Sequence, residues 1–208
     1  MEKLIKSNRI KGILCIITSA CGFAVMSAFI KLSGDLPSFQ KTFFRNLVAA
    51  AIALYLIIKH KGSLVGKKEN RKILVLRSIF GTIGIVCNYY AVDRLVLSDA
   101  NMLNKLSPFL VVIFCALFLK EKINLKQITM VSVAFIGALF IIKPSFNVEV
   151  IPYLVGVLGA VGAALAYTCV RVLGKKEDYY TIVFFFSTFS LIAILPGFIA
   201  VYKPMTTI

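Results

Sequence analysis

Seven apolar stretches, each near the length of a membrane-crossing helix, divide this chain and leave no interval large enough for a soluble domain. They run over 10–30, 39–58, 73–92, 100–119, 125–142, 152–172 and 181–201. Roughly 20 mostly apolar residues span the hydrocarbon core as a helix. Lipid offers the backbone no hydrogen-bond partner, so each stretch must close its bonds internally, which excludes isolated strands. The expected fold class is an all-α polytopic membrane protein with seven transmembrane helices.

The net charge of +15 invites a nucleic-acid reading, but its placement argues against one. With a cytoplasmic N-terminus, only seven of the 24 Lys and Arg residues fall outside: Lys31, Lys41, Arg45, Arg94, Lys105, Lys143 and Lys203. The bias alternates loop by loop, as the positive-inside rule requires. The expected localisation is therefore the cell (inner or plasma) membrane, multi-pass, with the N-terminus cytoplasmic and, after seven spans, Ile208 outside. The basic linker from Lys59 to Lys72 suits contact with anionic headgroups. Expected partners are the lipid bilayer and a small molecule, with no nucleic acid. The basic start and the Ser19-Ala20-Cys21 step faintly resemble a cleavable leader, but the apolar stretch continues past them, so a retained helix is expected.

The five cysteines all fall within spans and form no CxxC pair, so neither a disulfide framework nor a zinc site is expected. His60, the single histidine, lies in the basic linker and reads as solvated. No HExxH, P-loop, catalytic triad or metal-ligand cluster occurs, so no enzyme, metal or cofactor is expected. The nine acids read as loop or helix-end residues, and a membrane enzyme acting on lipids lacks the acid, His or Cys cluster it would need.

An internal repeat is visible. Gly12–Lys31 aligns without a gap on Gly156–Lys175, matching Gly12 with Gly156, Phe23 with Tyr167 and Lys31 with Lys175. Residues 1–142 then form a first five-helix repeat, 143–151 a connecting loop, and 152–208 the first two helices of a second. A five-span unit that starts inside is followed by one that starts outside, which makes the repeats inverted, as in many secondary transporters.

Residues 77–142 carry a resemblance to the EamA family of the drug/metabolite transporter superfamily. Its marks are Tyr90-Ala91, the small-residue entry at Asp99-Ala100, Ser107-Pro108, and the exit Phe118-Leu119-Lys120-Glu121, with Arg45 fitting the pattern of the second helix. The resemblance implies two inverted five-helix repeats around a central cavity used for alternating access to small metabolites. This chain matches the first repeat and two helices of the second.

Ionisable groups inside a bilayer are costly and so mark candidate sites. Arg45 and Lys105 each lie about six residues inside the outer end of a span, roughly 9 Å below the surface, where two cations can grip a carboxylate or phosphate. The alternative is that both snorkel to the interface. Asn101, Asn104, Lys105 and Pro108 share one face of the fourth span, and Pro108 frees the Asn104 carbonyl and can bend the helix. Asn88, Tyr90 and Tyr167 complete the candidate substrate-binding set. Arg77, Gly81, Gly84 and Asn88 recur along the third span, and Gly159, Ala163 and Ala166 along the sixth, both reading as close-packing faces.

The functional expectation is a secondary transporter, or its N-terminal portion, moving a small anionic or zwitterionic metabolite by alternating access. The alternative is a truncated, transport-incompetent protein that needs a homodimer or another partner to complete the cavity.

Overall fold

The computed structural model describes the backbone of residues 2–34, 36–120, 124–142, 150–202 and 204, and the side-chain surroundings of these except 2–9, 127, 134, 138, 139, 141 and 142. The described residues contain helices and no strand. In order they form α1 (Glu2–Leu32), α2 (Ser38–His60), a 3-10 turn (Lys68–Asn70), α3 (Arg71–Arg94), α4 (Leu97–Asn104), α5 (Ser107–Leu119), α6 (Leu125–Ile142), α7 (Val150–Leu173) and α8 (Tyr179–Ala200).

Six segments among the described residues are long and apolar enough to cross a membrane: Ile10–Leu32, Ser38–His60, Lys68–Arg94, Leu97–Leu119, Val150–Leu173 and Tyr179–Ala200. The fifth expected span coincides with α6, which contributes a shorter apolar run, Ile128–Gly137. Most of the expected connecting loop 143–151 lies outside the described residues, as do Glu121 of the exit motif, Lys143 and Lys203.

The chain divides into two compact units, Met1–Asp35 and Leu36–Ile208. The first is the α1 helix, on which apolar side chains such as Ile16, Phe29 and Leu32 are exposed. Two of its hydroxyls are satisfied locally, Thr18 donating to the Leu14 carbonyl and Ser27 to the Phe23 carbonyl, each at 2.9 Å.

In the second unit α3 packs most extensively on α7, and α2 on α8. Small residues explain the first pairing. A Cβ on Gly84 would stand 2.8 Å from the Ala163 nitrogen, and one on Gly162 would stand 3.0 Å from the Gly84 nitrogen and the Phe80 carbonyl oxygen. The backbones of α3 and α7 therefore touch, which is how helices gain contact where lipid competes equally for apolar side chains. The expectation of glycine-mediated packing is met at Gly84 and Gly159, whereas Gly81 faces the side chains of Arg77 and Phe186. Nearer the α2–α3 loop, Leu74, Leu173 and Ile182 form a buried apolar plug joining α3, α7 and α8.

The fourth expected span is broken. Helix α4 ends at Asn104, and α5 starts at Ser107 with Pro108 in its first turn. Pro108 has no N–H to give the Asn104 carbonyl, and the Ser107 hydroxyl donates to that oxygen instead at 2.8 Å. The bend expected from Pro108 is thus present, and the carbonyl it frees is capped.

At the end of the bundle opposite the α2–α3 loop, Asp93 accepts hydrogen bonds from Ser38 Oγ at 2.9 Å and Lys41 Nζ at 2.6 Å. The Lys41 side chain is 4% exposed, so a residue read as an outer basic group is a buried ion-pair member tying α2 to α3. Asp99 departs further from expectation. It opens α4 as a helix-end acid should, yet it is 1% exposed and accepts a hydrogen bond from the Tyr153 hydroxyl of α7. Its helix-end position in sequence conceals a place under α7.

Candidate functional site

The polar content of the bundle interior collects where α2, α3 and α8 meet. Arg77 leaves α3 roughly 9 Å from the end that carries the α2–α3 loop. Its guanidinium carbon stands 4.0 Å above the centre of the Phe186 ring on α8, a cation–π contact. Gly81, one turn along α3, makes the space: a Cβ there would collide with the Arg77 guanidinium and come within 2.8 Å of the Phe186 ring. Arg77 Nε is buried with no hydrogen-bond partner, and so is the hydroxyl of Ser187, the residue that follows Phe186 on α8.

Other hydroxyls in the bundle behave differently. Thr42, Ser78, Thr82 and Thr168 each donate to the carbonyl one turn back in their own helix. Ser187 is equally buried, at 0% exposure, and has no such bond. An orphaned buried hydroxyl or guanidinium nitrogen costs free energy on the order of 1–3 kcal/mol per group.

Further along the same seam, Arg45 Nη1 donates to Asn46 Oδ1 at 2.9 Å, and Asn46 Nδ2 donates to Ser190 Oγ at 2.8 Å. Asn46 and Ser190 are both 0% exposed. The ionisable groups that act on Arg77 among the described residues are Tyr167, Arg45 and Cys169, none of them a carboxylate. Tyr89 is buried within the electrostatic reach of Arg45. The seam therefore holds two cations, hydroxyls, an amide and aromatic rings.

Of the candidate residues read from the sequence, Arg45 and Tyr167 fall beside this seam, although the Tyr167 side chain as a whole is half exposed. Lys105 and Asn104 are exposed at the α4–α5 break, and Asn101 is half-buried on α4. Helix α4 packs on α7, α3 and α6 rather than on the α2–α8 pair. Tyr90 lies under the Arg94 guanidinium, 5.4 Å from ring centre to carbon, near the end of α3. The backbone of Asn88 lies against Gly159, inside the α3–α7 crossing. His60 closes α2 and stacks on Tyr180 with ring centres 5.8 Å apart.

Arg77, Asn46, Ser187 and Ser190 are absent from the sequence-derived set. Arg77 follows closely on a run of basic loop residues and is easily counted with them. The signal that could have found it is Gly81 four residues later, a vacancy on the same helix face.

A multi-pass helical bundle with glycine-packed helices and a basic, partly unsatisfied polar seam defines the class: an α-helical membrane protein. The chain belongs to the EamA-like transporter family, whose model matches residues 10–143. It is 33% identical over 187 residues to the pseudopaline exporter CntI of Pseudomonas aeruginosa, covering 89% of this chain and 65% of the exporter. It is 27% identical over 188 residues to mouse solute carrier family 35 member G1, covering 84% of this chain and 51% of the carrier. An uncharacterized transporter of Helicobacter pylori is 25% identical over 179 residues, with 85% and 60% covered. The chain thus spans between half and two thirds of the length of these relatives. No solved structure matches it. The family and the relatives are membrane transporters, not enzymes.

Proposed function

We propose that this chain is the substrate-holding part of a secondary transporter for a small anionic or zwitterionic metabolite, and that Arg77 and Arg45 receive the solute's negative group. The observation that carries this reading is the buried Arg77 Nε with no partner, in a seam whose neighbouring ionisable groups include a second arginine and no carboxylate. A charge held in the low-dielectric interior needs a counter-ion, and here a bound anion supplies it. The Phe186 ring holds the guanidinium in place by a cation–π contact. Ser187, Asn46, Ser190 and Tyr167 offer the further polar contacts that fix orientation.

Transport by alternating access fits the same frame. The pairing of α2 with α8 supports it, since these are the second helices of the two proposed inverted repeats. The charge bias supports an inner- or plasma-membrane location with the N-terminus in the cytoplasm. One relative is named an exporter, so outward movement is the direction to assay first. The second reading is a chain that needs a homodimer or other partner to complete its cavity. Light scattering corrected for detergent tests it: a monomer that transports removes it.

The test of the site is uptake of carboxylate-bearing metabolites by the purified chain in vesicles. Arg77→Gln should lower uptake about a hundredfold, the order expected when a buried charged contact worth roughly 3 kcal/mol is lost, with thermal stability retained. Equal uptake by Arg77→Gln, together with loss in Lys105→Ala, would move the site to the α4–α5 break.

A further inference from the structure

We propose that a cleft at the α2–α3 loop end of the second unit binds the phosphate headgroup of an anionic phospholipid. Lys67 grips it from one half of the chain, Lys175 and Lys176 from the other. The cleft measures about 350 Å³, and its walls are Ser63 and Lys67 of the α2–α3 loop and residues 174–178 of the α7–α8 turn.

The walls are built, not incidental. Glu177 Oε1 accepts the Lys67 N–H at 2.9 Å and Asn70 Nδ2 at 2.6 Å, and Thr181 Oγ1 donates to the Ser63 carbonyl at 2.8 Å. Gly66 sits at φ +68°, where a Cβ would press within 2.8 Å of Leu74 and 3.3 Å of the Glu177 carboxyl, so glycine is needed there on both counts. These bonds commit Glu177 to the loop, and Asp178 acts on the Tyr180 hydroxyl. The side chains of Lys67, Lys175 and Lys176 enter no hydrogen bond or ion pair among the described residues. Both acids of the cleft are occupied while its three ammonium groups are not.

Two features select a lipid over a free anion. The cleft lies just beyond the ends of α2, α3, α7 and α8, at headgroup depth for helices that cross the hydrocarbon. Beside it, Leu64 and Val65 are 47% and 45% exposed. They are held at the loop tip by the Ser63 hydroxyl, which accepts the Gly66 N–H at 3.0 Å. An apolar pair flanked by lysines beds into the acyl–headgroup boundary, and a soluble ligand has no use for it. The charge bias assigns this end to the cytoplasm, where the leaflet is anionic. Because the phosphate touches both halves of the chain, its binding should also fasten this end of the bundle.

The whole chain, in phosphatidylcholine nanodiscs doped with phosphatidylglycerol, should retain phosphatidylglycerol in native mass spectrometry and melt at a higher temperature than in phosphatidylcholine alone. Lys67→Gln with Lys175→Gln and Lys176→Gln should weaken that retention about a hundredfold, roughly fivefold per lysine on the scale of ~1 kcal/mol per basic residue at an anionic surface. Its melting in pure phosphatidylcholine should stay that of the wild type, which shows the fold intact. A control of Lys59→Gln with Lys72→Gln should keep retention within about threefold. Retention unchanged in the triple variant would overturn the proposal. So would inorganic phosphate producing the same stabilisation as the lipid, since the ligand would then be a free anion.

Discussion

Along α3, two glycines separated by less than one turn face different problems. Gly84 meets α7 backbone to backbone, in a contact so close that a single methyl group has no room, and no polar side chain intervenes. Gly81 instead leaves space for an arginine and an aromatic ring, in a seam where two buried polar atoms have no partner. The α3–α7 crossing uses small residues to hold the bundle together. The seam towards α8 uses the same residue type to house a charge. Small size in a membrane helix therefore has two meanings, and only the neighbour across the interface separates them.

The largest effect should come from filling the dry crossing. Gly84→Leu adds a side chain where even a Cβ would lie 2.8 Å from backbone, and backbone cannot rotate aside. A loss of about 3 kcal/mol or more is expected, enough to abolish cooperative unfolding in detergent. A variant that melts like the wild type would mean that α3 and α7 are not packed as described.

Gly81→Ala sharpens the contrast. Its obstacle is the far end of an arginine and a ring, both able to move, so stability should fall by only about 1–2 kcal/mol. The solute site should suffer more than the fold, because Arg77 must leave Phe186. Apparent affinity should fall at least tenfold while the unfolding transition stays cooperative. If stability falls as far as in Gly84→Leu, the two faces are alike and the distinction fails.

Asn46→Ala should cost less still, about 1 kcal/mol. It removes one amide bridge, frees Arg45 Nη1 from its 2.9 Å bond and leaves Ser190 without its donor. A shift of a few degrees in thermal unfolding would be the readout.

The helices were readable because hydropathy alone fixes them in lipid. The break at Asn104 was readable because Pro108 lacks a donor, and the small-residue faces of α3 and α7 because glycines recur at helical spacing, though not that these two faces meet each other. What was not readable depends on which helix lies opposite. Arg77 follows a basic loop and looks like a snorkelling residue until Phe186 is placed beneath it. Ser190 is lost in a phenylalanine-rich run until Asn46 meets it, and Ser187 until its burial is seen. Asp99 and Lys41 look solvated because they stand at helix ends, and only the covering helices bury them. The candidate set built around Lys105 rested on depth along one helix, which says nothing of the neighbour across it.

The smallest effect should come from Gly22, on the exposed α1 helix. A Cβ at this position meets nothing within 4 Å, so neither meaning of small size found on α3 applies. Gly22→Ala should leave solute affinity unchanged and alter stability only through helix propensity, a gain of up to about 1 kcal/mol. The comparison with Gly84 is direct, since both are helix-interior glycines in apolar surroundings and differ only in what lies opposite. A clear loss of stability in Gly22→Ala, measured by thermal unfolding of the chain in nanodiscs, would show that α1 is packed against protein at this position, and Gly22 would then join Gly84 as a packing glycine.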